Sequence, residues 1–271
     1  MGSWKYPVIL VTSLLLINVV QGNDDQISWK KEIVDWSVIT GVYTAGHVVG
    51  EMDVWAKESY LAGSTDRPYH ESTVPSSWLK WSASLVGLGM VMIPNNSGWM
   101  NSVSYKNFKG FAGAVSLNRL LTNVAKNTVG RKRPSFDNYP DDERNDSRKS
   151  FFSGHASTAF CIATYSSLFV FDHLGGIDSL DRNLGKWFYA TGAFSLAAFT
   201  AYSRVADNKH HISDVITGSL VGSSVAWVVY RYFNGEKSQK AGIQRRETPF
   251  KVAINTLDYR SGFNLSISLS F

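Results

Sequence analysis

Three stretches of the chain, residues 156–171, 188–203 and 215–230, carry no charged side chain. Each is 16 residues long, roughly 24 Å as α-helix against roughly 30 Å of bilayer hydrocarbon. A helix without a charged face needs cover on all sides, from neighbouring helices or from lipid. The flanking segments point the same way. Residues 81–94 are apolar and stop at Pro94, and 110–129 repeat apolar residues at helical spacing with polar ones between. The expected fold class is mainly α, a helical bundle. The uncharged runs are rich in Ser, Thr, Gly and Ala, and the mean hydropathy is only −0.12, which favours buried helices of a soluble or membrane-associated bundle. Integral membrane helices are the rival reading, because a small-residue face such as Gly218-x3-Gly222 also packs well in lipid.

The 271 residues contain no Pro/Gly/Ser-rich linker and no internal repeat, which fits one main domain. Residues 1–22 read as a secretory signal. Lys5 precedes an apolar core, Val20-Gln21-Gly22 forms a small-residue cleavage site, and Asp24 and Asp25 follow. An uncleaved anchor is the alternative. The helical domain is then expected over 23–245 and a β-like extension over 246–271. There Phe263, Leu265, Ile267, Leu269 and Phe271 alternate with polar residues, and Val252 and Ile254 begin a partner strand. A hairpin packed on the helical domain is the expectation. The single Cys161 permits no intramolecular disulfide and sits in an apolar run as a core residue. A net charge of +5 suits an anionic substrate or an anionic membrane surface. No basic run is interleaved with aromatics, so nucleic acid is not an expected partner. Residues 135–150 are rich in charge and read as a solvated loop, either a surface connection or a lid over a pocket.

Chemistry is concentrated in three fragments. In Lys126-x6-Arg133-Pro134, seven helical positions return to nearly the same face, so both cations can point at one anion. In Ser153-Gly154-His155, Ser153 is a natural N-cap and Gly154 lets backbone N–H groups approach a ligand. A helix start of that kind binds phosphate oxygens, and a bound phosphate would hold His155 protonated as a general acid needs. In Ser203-Arg204-x5-His210-x3-Asp214, Arg204 adds a second planar fork. His210 and Asp214 are spaced i, i+4 on the next helix, so Asp214 can accept a hydrogen bond from one ring nitrogen and leave the other free to attack. His211 has no such acid partner and reads as a neighbour or pocket wall. Each fragment also has a plain structural reading: a solvated basic face, a capped helix start, and a helical His–Asp pair.

Taken together, the fragments resemble the signature K-x6-R-P, P-S-G-H and S-R-x5-H-x3-D of the phosphatidic acid phosphatase / vanadium haloperoxidase superfamily. The match covers residues 126–214 and departs at Phe152, which stands in place of the proline and predicts a modest change in loop geometry. The resemblance implies a bundle of the acid phosphatase/haloperoxidase type, to which the C-terminal alternation adds a β-hairpin. It also implies a metal-independent phosphatase acting through a phosphohistidine, with no metal and no cofactor. His210 would be the nucleophile, His155 the acid and then the base, and Asp214 the residue that orients His210. Lys126, Arg133, Ser153, Gly154 and Arg204 would bind the phosphate. The implied substrate is a soluble phosphomonoester or a lipid phosphate or diphosphate. The implied setting is a bacterial periplasm or envelope, with association at the membrane surface. Two other functions fit the same residues, a vanadium-dependent haloperoxidase and a catalytically silent envelope protein.

Overall fold

The computed structural model describes residues 29–61, 63, 66–140, 145–174, 180–235, 250–254 and 265–269. The expected signal at 1–22 lies outside them. Among the described residues six α-helices follow in order: α1 (Trp29–Glu51), α2 (Ser76–Met92), α3 (Ser102–Val129), α4 (Gly154–His173), α5 (Leu180–Ala206) and α6 (Ile212–Asn234). Local chemistry sets several ends. Asn101 caps α3 by accepting from the N–H groups of Val103 and Ser104 at 2.9 and 3.0 Å, and Gly130 ends it with φ 60°. Pro75 precedes α2, and Ser153 caps α4.

Consecutive helices alternate in direction. Lys109 bonds Glu32 at 2.8 Å near the starts of α3 and α1, and Asn127 bonds the Val49 carbonyl at 2.5 Å near their ends. Asn107 meets His173, the last residue of α4, at 3.4 Å, so α4 runs against α3. α6 lies alongside α4 in the same direction. A Cβ at Gly218 would stand 2.6 Å from the Ser153 carbonyl oxygen, and one at Gly222 2.0 Å from that of Ser157. Glycine at both positions is what lets the two backbones touch. One end of the bundle therefore gathers the C-termini of α3 and α5 and the N-termini of α4 and α6.

The core is centred on α4. Cys161 and Tyr165 are fully buried among Met90, Phe111, Phe169, Ala226 and Tyr230. Tyr165 meets Phe111 and Tyr230 edge-on at 5.5 and 5.2 Å, a geometry worth about 0.5–1.5 kcal/mol per pair beyond the area buried.

The expectation of buried helices holds for α4 and fails for α5 and α6. Leu196, Phe199 and Tyr202 on α5, and Ile216, Leu220, Trp227 and Val228 on α6, are all more than half exposed. On α2, Trp78, Trp81, Leu85 and Leu88 form one exposed stripe at spacings of three, four and three. The physical reason is the placement of small residues. Gly218, Gly222 and Ala226 face inward and allow close packing, which leaves the large apolar side chains outward.

The described residues 250–254 and 265–269 belong to a second unit of the chain. In it β1 (Phe250–Ile254) pairs antiparallel with β2 (Leu265–Leu269), in a register of Phe250 with Leu269 and Ile254 with Leu265.

Candidate active site

At the end of the bundle shared by α3, α4, α5 and α6, the predicted site residues come together. Lys126 and Arg133 do so by a different route from the one expected. α3 stops at Val129 and Gly130 turns the chain, so Arg133 lies beyond the helix rather than two turns along it. The turn is held by residues 145–150. The Ser147 carbonyl accepts from the Arg133 N–H at 2.8 Å, and the Arg131 carbonyl from that of Ser150 at 3.0 Å. Lys149 reaches the Gly50 and Met52 carbonyls, and Arg148 those of Ala56 and Lys57. The described part of the polar loop is thus pinned to the end of α1.

Ser153 Oγ accepts from the Ala156 N–H at 3.4 Å, as an N-cap does. A Cβ on Gly154 would lie 3.6 Å from Lys126 Nζ, so the missing side chain brings the ammonium against the first turn of α4. Two buried polar atoms here have no hydrogen-bond partner among the described residues, His155 Nε2 and Arg204 Nε. Buried donors and acceptors left unpaired cost about 1–3 kcal/mol each, so their presence in one cluster marks a place built for a ligand. Burial lowers the His155 pKa to about 2, and the nearby charges of Arg204, His210, Lys126 and Arg133 push it the same way.

His210 sits in the turn before α6, which starts at Ile212, and not on the helix. Its Nδ1 is 2.7 Å from the Ser150 carbonyl oxygen and 3.9 Å from Asp214 Oδ2. A carbonyl only accepts, so Nδ1 carries the proton and Nε2 keeps its lone pair. Asp214 acts one step back. Its fully buried carboxylate accepts from Ser150 Oγ at 2.6 Å, from the His211 N–H at 3.0 Å and from the Arg131 guanidinium. It fixes the segment whose carbonyl holds the ring. Burial lowers the His210 pKa to about 3 against the raising influence of Asp214, and Arg133 and Lys126 add to the lowering.

The two arginines are each met by a carboxylate. Arg204 pairs with Asp207 and donates to Ser72 Oγ at 3.3 Å. Asp207 in turn accepts from the N–H and hydroxyl of Thr73 at 2.9 and 2.6 Å. Arg133 donates through Nε to the Asp146 carbonyl at 2.8 Å and through Nη2 to the Asp146 carboxylate at 2.6 Å.

Sequence reasoning missed Ser150, Arg131, Asp207 and Asp146. Arg131 and Asp146 were visible only as members of a basic run and an acidic loop, and Ser150 carried no signal. A cavity of about 320 Å³ opens beside His210, lined by Arg67, Pro134, Val205, His211, Ile212 and Ser213. Arg67 comes from the segment between α1 and α2, far from the three fragments in sequence. His211 is a wall of this cavity and bonds the Lys132 carbonyl at 3.1 Å. A larger cavity of about 640 Å³ between α2, α4 and α5 is mostly apolar, with Ser166, Lys186 and Tyr189 as its polar side chains, and touches none of these residues.

Residues 109–238 match the family model described as PAP2 superfamily. A PA-phosphatase related-family protein of Dictyostelium discoideum is 24% identical over 255 residues, covering 89% of this chain and 94% of that protein. Phospholipid phosphatase 1 of Mus musculus is 33% identical over 156 residues, 47% of this chain and 52% of that protein. The chain thus spans about half the length of the mouse relative. The crystal structure of a transmembrane PAP2-type phosphatidylglycerolphosphate phosphatase from Bacillus subtilis aligns with a TM-score of 0.45 at 18% identity, over 90% of this chain and 100% of that one.

Proposed function

Because residues 109–238 match the PAP2 superfamily model, we propose that the chain is a phosphatase that hydrolyses lipid phosphates at a membrane through a phosphohistidine. The observation that carries this reading is the convergence of Lys126, the unpaired Arg204 Nε and the unpaired His155 Nε2 beside a His210 held with its Nε2 lone pair free. Cations and a helix start stabilise charge on a phosphoryl group, and two imidazoles supply a nucleophile and a proton carrier.

In this reading His210 Nε2 attacks phosphorus and the bond to the leaving oxygen breaks. His155 gives that oxygen a proton. The phosphate dianion brings negative charge to a ring otherwise surrounded by cations, which raises its proton affinity and suits it to be the donor. A water molecule then attacks the phosphohistidine, His155 takes its proton, and inorganic phosphate and neutral His210 are restored. Lys126, Arg133 and Arg204, with the first-turn N–H groups after Ser153, hold the equatorial oxygens. Asp214, through Ser150, keeps the His210 tautomer.

The lipid half of the proposal rests on the outer surface. Exposed apolar faces on α2, α5 and α6 are too extensive for a water-facing protein. Their exposed tryptophans and tyrosines fall towards both ends: Trp78, Trp81 and Tyr202 at the end that carries the site, and Trp187, Tyr189, Trp227 and Tyr232 towards the other. Along α5, Trp187 and Tyr202 stand about 22 Å apart, within the roughly 30 Å thickness of bilayer hydrocarbon. α6 is long and apolar enough to cross a membrane. The site then lies where α4 and α6 begin, at one water–lipid border.

The test is phosphate release by the detergent-solubilised protein from three substrates: phosphatidate, an isoprenoid diphosphate and a water-soluble phosphomonoester. Turnover of the lipids well above that of the soluble ester supports the reading. Equal turnover of all three would make it a general acid phosphatase. The bacterial envelope and the cleaved leader at 1–22 complete the proposal, and N-terminal sequencing checks them. A mature protein starting at Asn23 supports them, and one starting at Met1 opposes them.

A further inference from the structure

The two carboxylates that meet the phosphate-binding arginines are held very differently. Asp207 is buried and its two oxygens are tied by Arg204, the Thr73 N–H and the Thr73 hydroxyl. It is a fixed part of the wall. The Asp146 side chain is 50% exposed, and among the described residues its carboxylate has one hydrogen-bond donor, Arg133 Nη2. The residues on either side of it are anchored, through Asn145 to Asp53 and through Ser147 to Arg133, so its backbone stays in place while the side chain has water to turn into.

Asp146 also faces more than Arg133. Burial would raise its pKa, but Arg133, Lys126, His210 and Lys149 together bring it below the ordinary carboxylate value. Its charge therefore sits in the field that would receive the substrate phosphate. Arg133 Nε and Nη1 are engaged by the Asp146 and Lys209 carbonyls, which leaves the Nη2 edge as the part of the fork that can change partner.

We infer that Asp146 is an internal competitor for the phosphate: its carboxylate occupies Arg133 Nη2 in the empty site, yields to the incoming phosphoryl group, and returns as inorganic phosphate leaves. This rests on the phosphatase reading above and deepens it by naming what the substrate must displace. A phosphate dianion carries twice the charge of the carboxylate and finds Lys126 and Arg204 as well, so it wins. A singly charged or neutral head group has no such advantage. Asp146 thus biases the site towards dianionic phosphate, and it speeds product release by offering Arg133 a replacement anion.

The experiment is direct binding of inorganic phosphate to the detergent-solubilised protein by calorimetry, for the wild type, Asp146→Asn and Asp207→Asn. Asparagine keeps the shape and removes the charge. Asp146→Asn should bind phosphate roughly fivefold more tightly, the upper range for release from a half-exposed ion pair. Its kcat on phosphatidate should fall as product release slows, with inorganic phosphate a stronger inhibitor. Asp207→Asn should bind phosphate more weakly, because it loosens the wall that aims Arg204. Equal or weaker binding by Asp146→Asn would show that Asp146 only positions Arg133, and would overturn the inference while leaving the phosphatase reading intact. A wild-type protein that does not bind phosphate would overturn both.

Discussion

His155 and His210 are neutral in the empty site for the same reason, burial among cations, and this gives a signed expectation for stability. The unfolded chain takes up protons on both rings below about pH 6.5, while the folded values are about 2 and about 3. The contribution is therefore fully present above about pH 6.5 and is lost as the pH falls towards 3. The melting temperature of the phosphate-free protein in detergent should drop over that window, and the drop should be smaller in the His155→Gln/His210→Gln double variant. A double variant with the wild-type pH profile would contradict the assignment. Replacing His155 alone with Ala should lower kcat by roughly 10²–10⁴-fold, the usual size of a general acid–base contribution. That the two histidines lie near one another was legible in the sequence, but their geometry was not. A His and an Asp four apart suggest a helical pair, whereas His210 precedes α6 and is held by the Ser150 carbonyl. Ser150 could not be found from the sequence because its carbonyl and hydroxyl meet His210 and Asp214, both at least 60 residues away.

At the scale of elements, the α4–α6 contact decides whether the site exists. It joins Ser153, the cap of α4, to Asp214: the Ser153 N–H donates to the Asp214 carbonyl at 3.0 Å. The contact depends on two glycines one helical turn apart. A Gly222→Leu substitution would place its Cβ 2.0 Å from the Ser157 carbonyl oxygen and should destabilise the protein by on the order of 3–5 kcal/mol. Thermal unfolding in detergent measures the loss, and phosphate release should fall with it. The Gly218-x3-Gly222 spacing already pointed to close packing in the sequence. What it could not give was the partner, since a small-residue face fits any neighbouring backbone. Lys126 and Arg133 teach a related lesson. Their spacing suggested that the two cations meet, and they do lie close, but Gly130 ends the helix between them and the returning loop at 145–150 brings them together.

At the scale of the whole molecule, a mean hydropathy of −0.12 concealed the surface. An average over a helix does not record which side a residue faces. On α5 and α6, Ala197, Ala201, Gly218, Gly222 and Ala226 face inward while Leu196, Phe199, Leu220 and Trp227 point outward, so a modest average accompanies an apolar exterior. In nanodiscs made with brominated lipid, the fluorescence of Trp78, Trp81, Trp187 and Trp227 should be strongly quenched relative to ordinary lipid. Unquenched tryptophans would place these faces against protein or water. The central claim, that this end of the bundle transfers a phosphoryl group through His210, is tested most directly by phosphate release from phosphatidate in mixed micelles by the wild type and by His210→Ala, both shown to bind inorganic phosphate. Release by the wild type and only background release by His210→Ala is the predicted result. A His210→Ala protein that turns over phosphatidate at the wild-type rate would contradict the mechanism.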